Sequence, residues 1–211
     1  MYRSQHRKDN IKLSSKIPVV DPQRHNSLIE DNWVHLKEPQ NLVTAIAASL
    51  PLMALNLLLT IGVISLFPPL TPDDLGISQG GFQITINLWL IAGFIGFLVM
   101  HELLHLVLIP DFTSSARTYI GITHMGGFVY SEEMIRKSAY LLITIAPFVA
   151  LSILLPAMLG SMGLLSPALK ILILLNSMAS SMDVLTFILV LTQVPDSSYI
   201  TSNGMRTYWK K

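Results

Sequence analysis

Residues 99–108 read VMHELLHLVL, so two histidines and a glutamate lie inside an otherwise apolar run. Ionisable side chains are costly in lipid, and where they occur there they pair with one another, line a path or bind an ion. The run therefore raises two linked expectations. It crosses a membrane, and His101, Glu102 and His105 hold something inside that membrane.

The composition of the rest of the chain favours a membrane location. Of its 211 residues, 51% are hydrophobic and 13% are charged. Residues 39–72, 75–100 and 138–169 contain no Asp, Glu, Lys or Arg, and each segment exceeds the roughly 20 residues that cross a bilayer core. These patterns predict an all-α membrane protein. Its four transmembrane helices are expected near residues 42–67, 85–110, 138–160 and 166–193.

Lys and Arg predict the orientation, because they favour the cytoplasmic side of a membrane. Seven of them fall in residues 1–40, and others fall in the loop 111–137 and in residues 195–211. The exception is Lys170, placed where a lysine can extend to the interface. We expect a cytoplasmic N-terminal tail (1–40), a transmembrane domain (41–194) and a cytoplasmic C-terminal tail (195–211).

The second predicted helix contains the pattern H-E-x-x-H. His101 and His105 are four residues apart, so on a helix both imidazoles lie on one face and can bind one ion. Glu102 lies about 100° further round, where it can act on a water without being a ligand. This division of roles predicts a zinc site with two histidine ligands and Glu102 as general base.

A catalytic zinc site needs a third protein ligand, and the chain has no cysteine. Asp183 is the candidate, because it is a lone carboxylate in an apolar segment and its predicted depth matches that of His101. By helical rise, Asp183 lies roughly 18 Å before Pro195, and His101 lies roughly 13 Å before Pro110. His124 is an alternative third ligand. Glu132 and Glu133 are weaker alternatives at the membrane edge.

Two further membrane residues have candidate roles. Asn176 could bind a substrate backbone or an oxyanion, or it could bridge helices by hydrogen bonds. Pro147 removes a backbone hydrogen bond and is expected to kink the third helix.

Residues 117–131, RTYIGITHMGGFVYS, predict a small cytoplasmic β-hairpin between helices 2 and 3, with a turn at Gly126-Gly127. The edge of this hairpin could pair with an extended substrate segment, or the hairpin could be a simple surface feature.

The sequence also resembles known families. MHELLH in a membrane helix, an IAPFVALS segment and a later LNSMASSMD segment are similar to the site-2 protease class of intramembrane metalloproteases. They resemble more closely a bacterial family described as putative zincin peptidases, of unknown function. Both resemblances imply His101, His105 and Asp183 as zinc ligands and Glu102 as the catalytic base. Met182-Asp183-Val184 stands where site-2 proteases typically carry Leu-Asp-Gly.

The expected function is zinc-dependent intramembrane hydrolysis of a peptide bond near the cytoplasmic face. The partners would be Zn2+, the lipid bilayer and a membrane-protein or peptide substrate. The net charge of +1 gives no indication of a nucleic-acid partner. Two alternatives stay open at this point: a non-catalytic membrane protein with a structural zinc site, and a transporter component that uses His101, Glu102 and Asp183 as an ion pathway.

Overall fold

The computed structural model describes residues 12–14, 16, 19–67, 69–78, 80–82, 88–115, 117–123 and 126–211. The alternative ligand His124 lies outside these residues. The helices are α1 (Pro22–Glu30), α2 (Leu42–Ser65), α3 (Leu88–Leu108), α4 (Lys137–Pro147), α5 (Leu155–Ser161), α6 (Pro167–Ala179) and α7 (Ser181–Gln193). The strands are β1 (Lys12–Ser14), β2 (Val34–His35), β3 (Ile77–Ser78), β4 (Gly81–Phe82), β5 (Thr118–Thr123), β6 (Gly126–Ser131), β7 (Ile135–Arg136), β8 (Tyr199–Asn203) and β9 (Arg206–Lys210).

Three continuous helical stretches of the described residues could span a membrane. They are Leu42–Ser65, Leu88–Leu108 and Lys137–Ser161, each long and apolar enough to cross a bilayer. The chain therefore has the character of a membrane protein. In the third stretch, π-helical turns at Phe148–Leu154 join α4 to α5 directly after Pro147.

The expected fourth continuous helix, near 166–193, is wrong. The segment forms two helices, Pro167–Ala179 and Ser181–Gln193, bent by 40° at their junction. Ser180 lies between them with ψ of −1°, closing α6 and preceding α7. A serine hydroxyl can hydrogen-bond to nearby backbone groups, so it competes with the hydrogen bonds of the helix. This competition accounts for a break in this serine-rich stretch. The described residues thus hold three clear spans, or four only if the bent pair is counted as one.

The expected all-α class is also wrong, because the described residues form β-sheets outside the helices. A three-stranded sheet has the order β1-β5-β6, a four-stranded sheet has the order β2-β9-β8-β7, and β3 pairs with β4. The hairpin expected between the second and third predicted spans is present as β5 and β6, between α3 and α4. Thr123 lies opposite Gly126 in this pair. Gly126 and Gly127 therefore begin the second strand and do not form the turn.

The four-stranded sheet gathers distant parts of the chain at one end of the helix bundle. Strand β2 precedes α2, β7 directly precedes α4, and β8 follows α7. A core of Leu36, Val190, Val194 and Ile200 packs between this sheet and the helix ends. At the other end, Lys170 Nζ lies 2.8 Å from Asp74 Oδ2 and ties α6 to the loop after α2.

Candidate metal centre

Helix α3 places the two histidines of the motif one turn apart on its buried face. His101 and His105 are in edge contact, with ring centroids 5.1 Å apart. Their side chains are 9% and 13% exposed. The i, i+4 spacing thus gives the shared face that the sequence predicted.

The bend between α6 and α7 brings Asp183 to these histidines. Asp183 lies in the first turn of α7. Its Oδ2 is 3.1 Å from His101 Nε2, and its Oδ1 is 3.5 Å from His105 Nε2. One candidate ligand atom from each of the three residues lies within 4.8 Å of the others. The three predicted ligands are therefore brought together, and this cluster could bind a metal ion.

The hydrogen bonds of the two imidazoles define which nitrogen faces Asp183. His105 Nδ1 donates to the Ile143 carbonyl at 2.8 Å, and His101 Nδ1 donates to Asn176 Oδ1 at 3.0 Å. A neutral imidazole with a hydrogen on Nδ1 carries a lone pair on Nε2. Nε2 of each histidine therefore faces the Asp183 carboxylate, and this contact is favourable when a proton on Nε2 or a metal ion lies between the two groups.

The Asp183 carboxylate gives a second sign that a cation fits here. With a lone pair on His101 Nε2, its 3.1 Å contact with the buried Oδ2 of Asp183 is not a hydrogen bond, and Oδ2 has no other partner within the described residues. Buried acceptors are rarely left unsatisfied. Two imidazole nitrogens and one carboxylate form a ligand set that zinc accepts, with a fourth position left for water. A metal ion at the centre of the cluster would satisfy Oδ2 and both Nε2 atoms together.

Pro147 explains why a backbone carbonyl is available to His105. In a regular α-helix, the N–H of residue 147 would donate to the carbonyl of Ile143. Proline has no N–H, so this carbonyl is free to accept the bond from His105 Nδ1 instead. Pro147 thus frees a carbonyl for His105, and π-helical turns follow directly after it. The kink expected at this residue stays a prediction.

Asn176 orients His101 from α6. Its Oδ1 accepts from His101, while its Nδ2 donates to Ser152 Oγ at 2.9 Å and to the Pro147 carbonyl at 3.4 Å. Both amide hydrogens are therefore used within the protein. These contacts favour helix bridging over the substrate or oxyanion role that the sequence also allows for Asn176. Ser152, which accepts from Asn176, was not predicted from the sequence. Nothing in the sequence indicates the π-helical turns that place it there.

Glu102 stands next to the cluster and faces the β-hairpin. The backbone of Val129 in β6 lies within hydrogen-bonding reach of its carboxylate. A Cβ at Gly127 would lie 2.8 Å from Glu102 Cγ, so the missing side chain permits this close approach. Glu102 also lines a cavity of about 320 Å³ between α3 and the hairpin, and the other described residues that line it are apolar side chains or glycines.

The weaker carboxylate candidates are engaged elsewhere. Glu132 Oε2 pairs with Arg24 Nη1 at 2.9 Å, and Glu133 Oε1 accepts from Ser115 Oγ at 2.7 Å. Neither joins the metal-ligand cluster of the described residues.

Comparison with protein-family models gave a match. A family model described as "Putative zincin peptidase" matches residues 94–199, half of the chain. The matched segment includes the H-E-x-x-H motif, the hairpin, Pro147, Asn176 and Asp183. Comparisons with curated proteins and with solved structures found no match.

Proposed function

The chain belongs to the family described as "Putative zincin peptidase", and from this premise we propose that it is a zinc-dependent intramembrane endopeptidase. The observation that carries the proposal is the convergence of His101 Nε2, His105 Nε2 and the Asp183 carboxylate beside Glu102. Metal-assisted peptide hydrolysis requires protein ligands that hold the metal and a general base next to it. The three ligands and the Glu102 carboxylate supply these parts.

The residues divide the chemistry between them. His101, His105 and Asp183 would hold the zinc, which, when bound, activates water and polarises the scissile carbonyl. Glu102 takes the proton of the attacking water and donates it to the leaving amine. Ile143 and Asn176 hold the two imidazoles with Nε2 directed at the site.

A membrane-protein substrate is supported by the surroundings of Glu102. The site lies on α3, a helix long and apolar enough to cross a bilayer. The cavity beside Glu102 has an almost wholly apolar lining, which suits an apolar segment. A helical substrate must unwind into an extended form before cleavage. Strand β6 lines the cavity at the edge of its sheet and could pair with such an extended peptide.

The proposed orientation places the four-stranded sheet in the cytoplasm. The segments that form this sheet lie in the basic N-terminal, central and C-terminal parts of the chain, where Lys and Arg favour the cytoplasmic side. Both termini would then be cytoplasmic, and cleavage would occur near that face. Reaction of single introduced cysteines with an impermeant reagent would test this orientation.

The function is tested by comparing Glu102→Gln with the wild type in cells whose membrane fraction is searched for new protein N-termini. The exposed Glu30→Gln at the end of α1 is the matched control. We expect fragments of membrane proteins with the wild type and with Glu30→Gln, and a loss of about 100-fold or more with Glu102→Gln. The purified Glu102→Gln variant should still bind zinc.

Unchanged fragments in Glu102→Gln would overturn the peptidase mechanism. Retained zinc in that variant, without any effect on proteolysis, would then favour a structural zinc site.

A further inference from the structure

A further cavity, of about 480 Å³, lies between α3 and α6. We call it the interhelical cavity, and we call the cavity between α3 and the β5–β6 hairpin the hairpin cavity. The two helices approach closely before and after the interhelical cavity. A Cβ at Gly93 would lie 2.9 Å from Leu172 Cδ1, and His101 Nδ1 donates to Asn176 Oδ1 at 3.0 Å. These two contacts limit the length of the cavity along the helices, so its shape suits a side chain.

The walls of the interhelical cavity are largely apolar. Its apolar side chains on α3 and α6 are Phe94, Phe97, Leu98, Leu172, Leu175 and Ala179. Asn176 also lines it, but both amide hydrogens of Asn176 are used within the protein. Phe94 and Leu175 are 41% and 40% exposed, so the cavity opens sideways between the helices. An apolar group that arrives from the lipid therefore suits it.

The interhelical cavity adjoins the hairpin cavity, because Leu98 and Gly126 line both. Leu98 precedes His101 and Glu102 by about one helical turn. Gly126 begins β6 with φ of 129°, and a Cβ at this position would meet no atom within 4 Å. There is thus space beside the Gly126 backbone. A segment that reaches from one cavity to the other passes within about one turn of the proposed ligand and the proposed base.

Each cavity also contacts a residue with a role in the proposed reaction. Glu102 lines the hairpin cavity, and Asn176, the partner of His101, lines the interhelical cavity. Successive side chains of an extended chain point in opposite directions, so one extended segment can place a side chain in each cavity. We propose that the two cavities are subsites for apolar side chains on either side of the scissile bond. This inference rests on the proposed peptidase function.

The test uses disulfide cross-linking, because the chain has no cysteine of its own. Purified full chain with Glu102→Gln, which leaves a bound peptide uncut, is mixed in mild detergent with a synthetic transmembrane peptide of leucine and alanine. Glycines at the centre of the peptide weaken its helix, and a single cysteine is moved through the central positions. Val99→Cys reports on the hairpin cavity and Ala179→Cys on the interhelical cavity. The control is Ala92→Cys, an exposed residue of α3 that lines neither cavity.

We expect Val99→Cys and Ala179→Cys to cross-link to different peptide positions. Each cross-link should form about 10-fold or more faster than with Ala92→Cys, because a bound segment holds the two thiols together. A competing peptide without cysteine, with phenylalanine at the position that reaches Ala179, then measures the size of the interhelical subsite. With Val99→Cys as the reporter, Ala179→Leu should weaken this competitor about 10-fold by overfilling the cavity, whereas the control Ala92→Leu should not.

Cross-links without a preferred peptide position, or rates equal to those of Ala92→Cys, would overturn the proposal in favour of cavities that only hold lipid or detergent chains. An unchanged affinity for the phenylalanine peptide in Ala179→Leu would overturn it as well. Position-specific cross-links would support the paired subsites even where the wild type cuts no membrane protein, a result that refutes the peptidase alone. Cleavage by the wild type without such cross-links would refute the subsites alone.

Discussion

Pro147 and Asn176 act on the proposed metal ligands through hydrogen bonds behind the imidazoles. The freed Ile143 carbonyl accepts from His105, and the Asn176 amide accepts from His101. Partners of this kind fix the tautomer and the ring orientation of metal-binding histidines and raise their basicity. The two histidine ligands were predictable because their spacing is local, and Asp183 was predictable as a lone carboxylate in an apolar segment at a matching depth. Pro147 leaves the Ile143 carbonyl free, but the contact of this carbonyl with His105 could not be assigned from the sequence, since it depends on how α4 packs against α3.

Pro147→Ala should weaken metal binding without removing a ligand. The new N–H at position 147 would donate to the Ile143 carbonyl and compete with His105 Nδ1. We expect the zinc affinity to fall by about 10-fold to 100-fold, measured by competition with a chelator. Pro51→Ala is the control, because Pro51 is an exposed helix-interior proline on α2. An affinity equal to the wild type in Pro147→Ala would refute this role for the carbonyl.

At the scale of secondary-structure elements, the β5–β6 hairpin packs against helix α3 beside Glu102. The strand pattern predicted the hairpin, but placed the turn at Gly126-Gly127, which belong to β6. Glycine clusters usually mark turns, whereas Gly127 is needed for close approach to Glu102. The break between α6 and α7 was also missed, because hydropathy shows that a segment is apolar without showing whether it is straight.

Gly127→Ala should reduce peptidase activity while leaving zinc bound. The added Cβ would lie 2.8 Å from Glu102 Cγ, so the carboxylate or the strand must shift. Misplacing a catalytic group by about 1 Å can cost about 100-fold in rate. We expect kcat to fall by about 10-fold to 100-fold. It would be measured with a membrane protein that the search for new N-termini identifies as a substrate. Gly96→Ala on α3 is the matched control, since its Cβ meets no atom within 4 Å. Equal activity of both variants would show that Gly127 has no positioning role.

At the scale of the whole molecule, the four-stranded sheet joins residues that are far apart in sequence. Val34 pairs with Trp209, and Ile135 pairs with Ile200. Apolar stretches revealed the membrane character of the chain, because hydropathy is a local property. The sheet was missed because its strands are two to five residues long and each needs a distant partner. The dipeptide Asn203-Gly204 was a readable hairpin signal between β8 and β9.

Glu38 makes the stability of this sheet dependent on pH. It accepts from the Thr207 N–H at 2.6 Å, and burial raises its pKa from 4.5 to about 7. Below the lower value, folded and unfolded chains both carry the proton. Between the two values only the folded chain retains it, so stability decreases as the pH rises through this window.

Glu38→Gln should remove this loss, because the amide stays neutral and its oxygen can still accept from Thr207. At about pH 8 the variant should be more stable than the wild type by on the order of 3 kcal/mol, with the two closer at about pH 5. Thermal unfolding in detergent at both pH values measures the difference, with Glu30→Gln as the exposed control. A wild type and variant that lose stability equally between these pH values would contradict the assignment.

The most direct test of the metal centre is the metal content of the purified chain. Samples would be the wild type, His105→Ala, Asp183→Ala and the exposed control Asp73→Ala, each measured after zinc loading and removal of free metal. We predict about one zinc per chain in the wild type and in Asp73→Ala, and loss of zinc in the other two. No zinc in the wild type would contradict the account. Zinc retained in Asp183→Ala but lost in His105→Ala would contradict the assignment of Asp183 and direct the search to His124.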